Sequence, residues 1–304
     1  MPELPDIALY LEALASRVLN QPLERLRLGN PFLVRTVEPP VAAVDGRVVV
    51  GLRRMGKRIV FELEGSLFLV LHLMIAGRLR WRERGAAIPR KVGLAAFDFP
   101  TGTAILTEQG ARRQASLHIV AGIADLAALN PGGLEVLDSA LPVFAERLTR
   151  VNHTLKRALT DPHIFSGIGN AYSDEILHAA RLSPMKLTSS LTAEEIARLH
   201  GATLRTLEGW IERLRDEGAG AFPEKVTAFR EGMAVHGRYR QPCPVCGAPV
   251  QRIVYARNEA NYCAPCQTGG RLLSDRALAR LLRDDWPKTL EDMERRLAAG
   301  KSEG

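Results

Sequence analysis

Apolar residues recur at helical spacing at Ile7, Leu11, Leu14 and Val18, which predicts a helix over residues 7–19. From about residue 23 to 120 the pattern changes to short strand-like segments, among them Arg47–Arg53, Lys57–Leu63, Ser66–Leu73 and Thr103–Leu106. Glycine-containing turns at Gly56, Gly65, Gly77 and Gly102 separate them. A mostly β domain follows, arranged as a two-layered sandwich. Pro131-Gly132-Gly133 marks a boundary, and residues 143–215 are helical with breaks at Asp161-Pro162, Gly167–Asn170 and Ser183-Pro184. After Gly218 periodicity is lost until a cysteine-containing hairpin. A final amphipathic stretch over 271–304 carries Leu272, Leu278, Leu281, Leu282, Trp286, Leu290, Met293 and Leu297. The expected class is α+β and multidomain, with boundaries at 1–130, 131–235, 236–268 and 269–304.

Charge and cysteine usage narrow the chemistry. The chain has 41 Lys+Arg against 34 Asp+Glu, a net charge of +7 and a pI near 9.5, a footprint compatible with a polyanionic partner. The longest apolar stretch, Leu67–Ile75, is interrupted by His72 and is too short to span a bilayer. The start shows no basic segment followed by an apolar one, so no secretory signal is read, and a soluble intracellular protein is expected. All four cysteines fall in two C-x2-C pairs, Cys243/Cys246 and Cys263/Cys266, with sixteen residues between them. That spacing suits a closed tetrahedral Zn²⁺ site of structural type, holding a hairpin over 247–262. Two disulfides are the alternative, disfavoured because disulfides are rare in a reducing compartment.

Two further motifs carry chemistry. Met1-Pro2-Glu3-Leu4-Pro5-Asp6 places a carboxylic acid beside what becomes an N-terminal secondary amine once Met1 is removed. An α-amino group ionises near pH 8, against about 10.4 for Lys, so it offers more free nucleophile at neutral pH. Glu3 is within reach as a proton donor or acceptor. Taken alone, the six residues also fit a stiff disordered start. In the helical region, Gly167-Ile-Gly169-Asn170 precedes a helix with Asp174 and Glu175 in its early turns. Exposed N–H groups at such a start bind phosphate, although an ordinary tight turn reads the same way.

Together, in this order, Pro2–Pro5, Gly167–Glu175 and the four-cysteine hairpin resemble the bacterial formamidopyrimidine-DNA glycosylase/endonuclease VIII family, over residues 1 to about 268. The resemblance implies an N-terminal catalytic β-sandwich with flanking helices, a helix–two-turn–helix DNA-binding domain, and a zinc finger. It implies a bacterial, nucleoid-associated monomer that acts on double-stranded damaged DNA with one structural Zn²⁺. The implied activity is base excision coupled to strand cleavage at the abasic site. Pro2 would be the nucleophile at C1′, Glu3 the acid assisting sugar ring opening, and Lys57 a phosphate contact at the lesion. Gly169 and Asn170 would hold a phosphate.

The chain departs from the family pattern at several positions. Asp6 stands where the family usually has Glu. Alignment on His72-Leu73 and Gly77 puts Ile75 in the slot of a wedge Met, with Met74 one residue early. The Asp-Pro-Arg-Arg-Phe-Gly segment becomes Gly110-Ala111-Arg112-Arg113-Gln114-Ala115, so Arg112 is kept and Gln114 replaces the aromatic wedge. Asn258 stands where the finger's phosphate-binding Arg is expected, with Arg257 one residue earlier. The stretch from Gly218 to His236 is several residues shorter than in oxidised-purine members. Two other readings follow from these departures or from the cysteines alone: a lyase-only or non-catalytic binder of damaged or abasic DNA, and a zinc-ribbon protein of transcription or RNA metabolism. The second leaves Pro2-Glu3 and Gly167–Asn170 unexplained.

Overall fold

Helix α1 (Leu4–Val18) opens the chain, three residues before the first apolar repeat. Pro5 is tolerated in its first turn because the N–H groups there have no helical acceptor. Glu3 and Asp6 cap it reciprocally, with the Glu3 N–H donating to Asp6 Oδ2 at 2.8 Å. Ile7, Tyr10, Leu14 and Val18 form the buried stripe. The computed structural model describes residues 1–304 except 111, 225, 256–257, 275–279, 281–285 and 300–304. It divides into two units: Met1–Gly133 with Leu207–Ala228, and Leu134–Thr206 with Phe229–Gly304.

The first unit is built on two antiparallel sheets. One has the order β1-β3-β4-β5-β9: Pro22–Leu23, Arg47–Met55, Arg58–Leu63, Leu67–His72 and Ser116–Ala121. The other has the order β2-β7-β8-β6: Arg25–Leu28, Gly93–Phe99, Gly102–Glu108 and Gly77–Arg82. Alternate residues of both sheets share one core, in which Phe61 of β4 stacks on Phe97 of β7 at 5.9 Å between centroids. Burying an aromatic ring of this kind contributes about 1.5–3 kcal/mol from area alone. The outer face of the first sheet, with Val60, Phe68, Val70 and Val120, is covered by Leu126 of α2 (Gly122–Ala128). Both β7 and β8 are buried at every position. Such strands show no polar alternation, and Asp98 inside β7 is accommodated by an ion pair to Arg27 at 2.6 Å.

Residues 207–228 return to this unit. Val226 enters the core, and Phe222 lies 5.8 Å from Tyr10 and 6.0 Å from Trp81. Arg82 pairs with Glu224 and Arg215 with Glu12. The segment after Gly218 lacks periodicity because it is a strap held at separate side chains, Phe222, Glu224 and Val226, and forms no helix or strand among the described residues.

The second unit contains α3 (Leu141–Thr149), α4 (Leu155–Thr160), α5 (Asn170–Ala179) and the first part of α6 (Ala193–Gly218). Phe144 of α3 stacks on Phe165 at 4.7 Å in its core. The hairpin strands are β10 (Gln251–Tyr255) and β11 (Asn258–Tyr262), followed by α7 (Ala264–Thr268). Beyond them, Leu272, Leu273, Leu290 and Met293 pack with Ile253 and Tyr262, so α8 (Leu290–Ala299) belongs to the same small core as the hairpin. Leu278, Leu281 and Leu282 of the amphipathic tail lie outside the described residues, as does the side chain of Leu297.

Candidate functional site

In the first unit the chemistry gathers at the start of α1. Pro2 is buried, as are Glu3 and Asp6 at 3% exposure each. The Glu3 carboxylate sits at the N-terminus of a 15-residue helix, where backbone dipoles favour negative charge. Burial pulls the Met1 ammonium below its ordinary value near 8, with Glu3 opposing and Arg78 and Lys57 adding to the effect. An amine here therefore sheds its proton more readily than a free N-terminus. Removal of Met1 moves that amine one residue inward, onto buried Pro2.

Lys57 stands in a two-residue hairpin between β3 and β4, with Met55 paired to Arg58. Gly56, at φ +65°, occupies the first central position, the arrangement of a type II′ turn. A side chain at Gly56 would strain that backbone and with it the aim of Lys57. Arg58 pairs across the sheet with His72. Burial, together with Arg58, Lys57 and His118, pushes the His72 imidazole down to about 4, so it is neutral at pH 7. Its Nε2 is buried and has no hydrogen-bond partner among the described residues. In the sequence His72 is only an alignment anchor. Its place on β5 opposite Arg58 gives it buried, cationic surroundings that no local pattern announced.

Two loops of this unit present the remaining expected residues. Ile75 is 62% exposed on the turn after β5, next to Met74 at φ +53°. Arg78 ties that turn down, donating to Ile75 O at 3.2 Å, to Gly77 O at 2.7 Å and to Val226 O of the strap at 2.6 Å. Arg112 and Gln114 are exposed on the loop after β8. The buried Glu108 carboxylate gathers the base of that loop, accepting from the N–H of Gln114 at 2.9 Å and of Ala115 at 3.0 Å.

In the second unit Asn170 is the first residue of α5, after Gly167 at φ +83°. Its carbonyl accepts from Lys156 Nζ at 2.7 Å, and the same ammonium pairs with Asp174 Oδ1 at 2.5 Å. Asp174 Oδ2 meets His236 Nδ1 at 2.8 Å, and Glu175 accepts from the N–H groups of Ala234, Val235 and His236. The four cysteine sulfurs lie within 4.8 Å of one another. Cys246 and Cys263 are 3.4 Å apart, and Cys243 and Cys266 4.0 Å. A tetrahedron with Zn–S bonds of about 2.3 Å spaces its sulfurs by about 3.8 Å, so the cluster fits Zn²⁺. His178 Nε2 lies 3.3 Å from Cys243 Sγ. Asn258 begins β11, and its side chain lies outside the described residues, as does all of Arg257.

Family models agree with this arrangement. The formamidopyrimidine-DNA glycosylase N-terminal domain matches residues 1–117, and the formamidopyrimidine-DNA glycosylase H2TH domain matches residues 133–218. A formamidopyrimidine-DNA glycosylase of Moorella thermoacetica is 32% identical over 265 residues, 83% of this chain and 94% of that protein. The chain belongs to the formamidopyrimidine-DNA glycosylase family. The family enzyme of Thermus thermophilus is 33% identical over 89% of this chain and all of its own length. The crystal structure of the Thermus thermophilus protein superposes with a TM-score of 0.71, covering 88% of this chain and 98% of that one at 31% identity. The Lactococcus lactis family member in complex with abasic-site DNA gives a TM-score of 0.76 at 25% identity, covering 88% and 99%. Family membership accounts for the mixed α+β architecture, the helix–two-turn–helix region and the finger. No helix among the described residues is long and apolar enough to cross a membrane.

Proposed function

We propose that the chain is a DNA glycosylase of base excision repair that also cleaves the strand, using the amine of Pro2. The observation that carries this reading is the pairing of a buried Pro2 with Glu3 at the start of α1, where burial already depresses the terminal amine. The amine attacks C1′ of the damaged nucleotide, and the bond from C1′ to the base breaks, with the base leaving as its protonated form. Glu3 takes the proton that the amine nitrogen sheds on attack and delivers it to O4′ as the sugar ring opens and leaves C1′ as an iminium, while the departing base is protonated from water. The iminium acidifies C2′–H, and loss of that proton expels the 3′ phosphate by β-elimination.

Lys57 supplies a cation to the phosphates beside the lesion, with His72 as its neutral polar neighbour. Gly169 and Asn170 offer the start of α5 to another phosphate. Arg112, Ile75 and Gln114 occupy the space left by the displaced nucleotide, and a Gln there hydrogen-bonds an orphaned base where an aromatic ring would stack. Cys243, Cys246, Cys263 and Cys266 would hold one Zn²⁺, which supplies folding energy and no chemistry. Arg257 or Asn258 supplies the finger's phosphate contact.

The altered wedge and short 218–236 segment argue against 8-oxoguanine as the main substrate and toward oxidised or fragmented pyrimidines or abasic sites. The test is borohydride trapping of the Met1-processed protein on duplexes carrying an abasic site, 8-oxoguanine, formamidopyrimidine, thymine glycol or 5-hydroxyuracil. A covalent adduct that disappears on Pro2 deletion is expected. No adduct on any duplex despite tight binding would leave a damage-binding protein, and excision of 8-oxoguanine as fast as any other lesion would refute the substrate assignment.

A further inference from the structure

Asp174, Glu175 and His178 are buried on one face of α5, at 1%, 6% and 6% exposure. A helix that buries three polar groups side by side must give each a partner. Besides the Lys156 ammonium on Asp174, each finds a partner in one stretch of chain that leads into and includes the first cysteine. Asp174 takes the His236 ring, Glu175 takes three backbone N–H groups of residues 234–236, and His178 takes Cys243 Sγ. A thiolate can only accept, so Nε2 of His178 is the donor. Four thiolates around one Zn²⁺ carry a net charge of −2, and Cys243 is 2% exposed, out of reach of bulk water. Hydrogen-bond donors must offset that charge, and outer-sphere donors of this kind tune the affinity of a metal site.

We propose that His178 is a positioning residue of the metal centre. Its Nε2–H donates to the Cys243 thiolate, stabilises the loaded cluster, and ties metal occupancy to α5, the helix that begins at Asn170. Metal loss then loosens α5 as well as the hairpin. The proposal rests on the zinc reading of the four cysteines.

The experiment uses the full chain purified under reducing conditions, with zinc counted per chain and then titrated out by a chromogenic chelator. His178→Phe keeps a ring of similar size without the donor, and His178→Gln keeps an N–H. His178→Phe is expected to lower zinc affinity about 10- to 100-fold. In the cobalt-substituted protein it is expected to shift the thiolate-to-metal absorption to lower energy, because a thiolate without its hydrogen bond gives up electron density more easily. His178→Gln is expected to retain most of the affinity, and hydrogen exchange at 171–179 is expected to rise when zinc is removed from the unaltered chain. His178→Phe with unchanged affinity and cobalt spectrum overturns the proposal, as does a Gln variant no better than Phe, which would point to ring packing. A reduced chain that binds neither zinc nor cobalt overturns the zinc reading itself.

Discussion

Replacing Glu175 by Ala tests how the segment before the first cysteine is held. The carboxylate accepts from the N–H of Ala234 at 2.6 Å and from those of Val235 and His236 at 2.9 Å each. Burial pushes this carboxyl up, and the three donors pull it down. Truncation strands three N–H groups, each worth about 1–3 kcal/mol when buried without an acceptor. The bare sum is roughly 3–9 kcal/mol. Ala234 is only half-buried, so water relieves part of it, and a loss of about 3–5 kcal/mol is expected. Glu175→Gln keeps Oε1 for Val235 and His236 but turns an NH₂ toward the Ala234 N–H. Its expected loss is smaller, about 1–3 kcal/mol. The assay is denaturant unfolding at constant slope, combined with hydrogen exchange at residues 234–236. An Ala variant within about 1 kcal/mol of the parent, or a Gln variant equal to Ala, would refute the assignment of stability to these three bonds.

His72 gives a pH dependence. Above pH 6.5 it is neutral whether folded or unfolded; between 6.5 and about 4 only the unfolded chain takes the proton, so stability falls with pH across that window. The drop attributable to His72 is at most about 3 kcal/mol, and the difference between parent and His72→Gln unfolding curves at pH 7 and 4.5 should isolate it; parallel curves would remove His72 as the cause. Phe222→Ala is expected to lose about 2 kcal/mol, less than a fully buried ring because the side chain is half-exposed, and to speed proteolysis within 219–228. Asp6→Ala removes the acceptor of the Glu3 N–H and should cost about 1 kcal/mol in thermal unfolding; no change in melting would mean the cap is unimportant.

The elements that sequence patterning made legible are those with a strong period or a fixed spacing. The stripe of α1, the short apolar runs of β3–β5 set off by Gly56 and Gly65, and the paired cysteines state their structure locally. Helix α1 begins earlier than residue 7 because buried Leu4 carries the apolar repeat one step further back, behind the Glu3–Asp6 cap. Strands β7 and β8 are buried on both faces and carry no alternation, which hides their register. Pro2, Glu3, Asn170 and the cysteines were readable as motifs. Glu108, Arg78 and His178 were not, since each makes its contacts to residues distant in sequence or to backbone atoms, and His72 was not, since only its place on β5 opposite Arg58 sets its surroundings. The spacing of Asp174, Glu175 and His178 is the one signal that could have pointed to a shared buried face.

The strap over 219–228 has a bearing on how this lineage tolerates change in length. It is fastened at Phe222, Glu224 and Val226. Insertions among the exposed residues Ala219, Gly220 and Ala221 leave each of these fastenings in place. Their entropic effect is slight, about 0.6 kcal/mol for each doubling of a flexible loop. The exposed turn over 219–221 is therefore a place where the chain can change length without refolding the unit. Segments inserted at that turn are the natural route to adding new surface to this scaffold without disturbing its core.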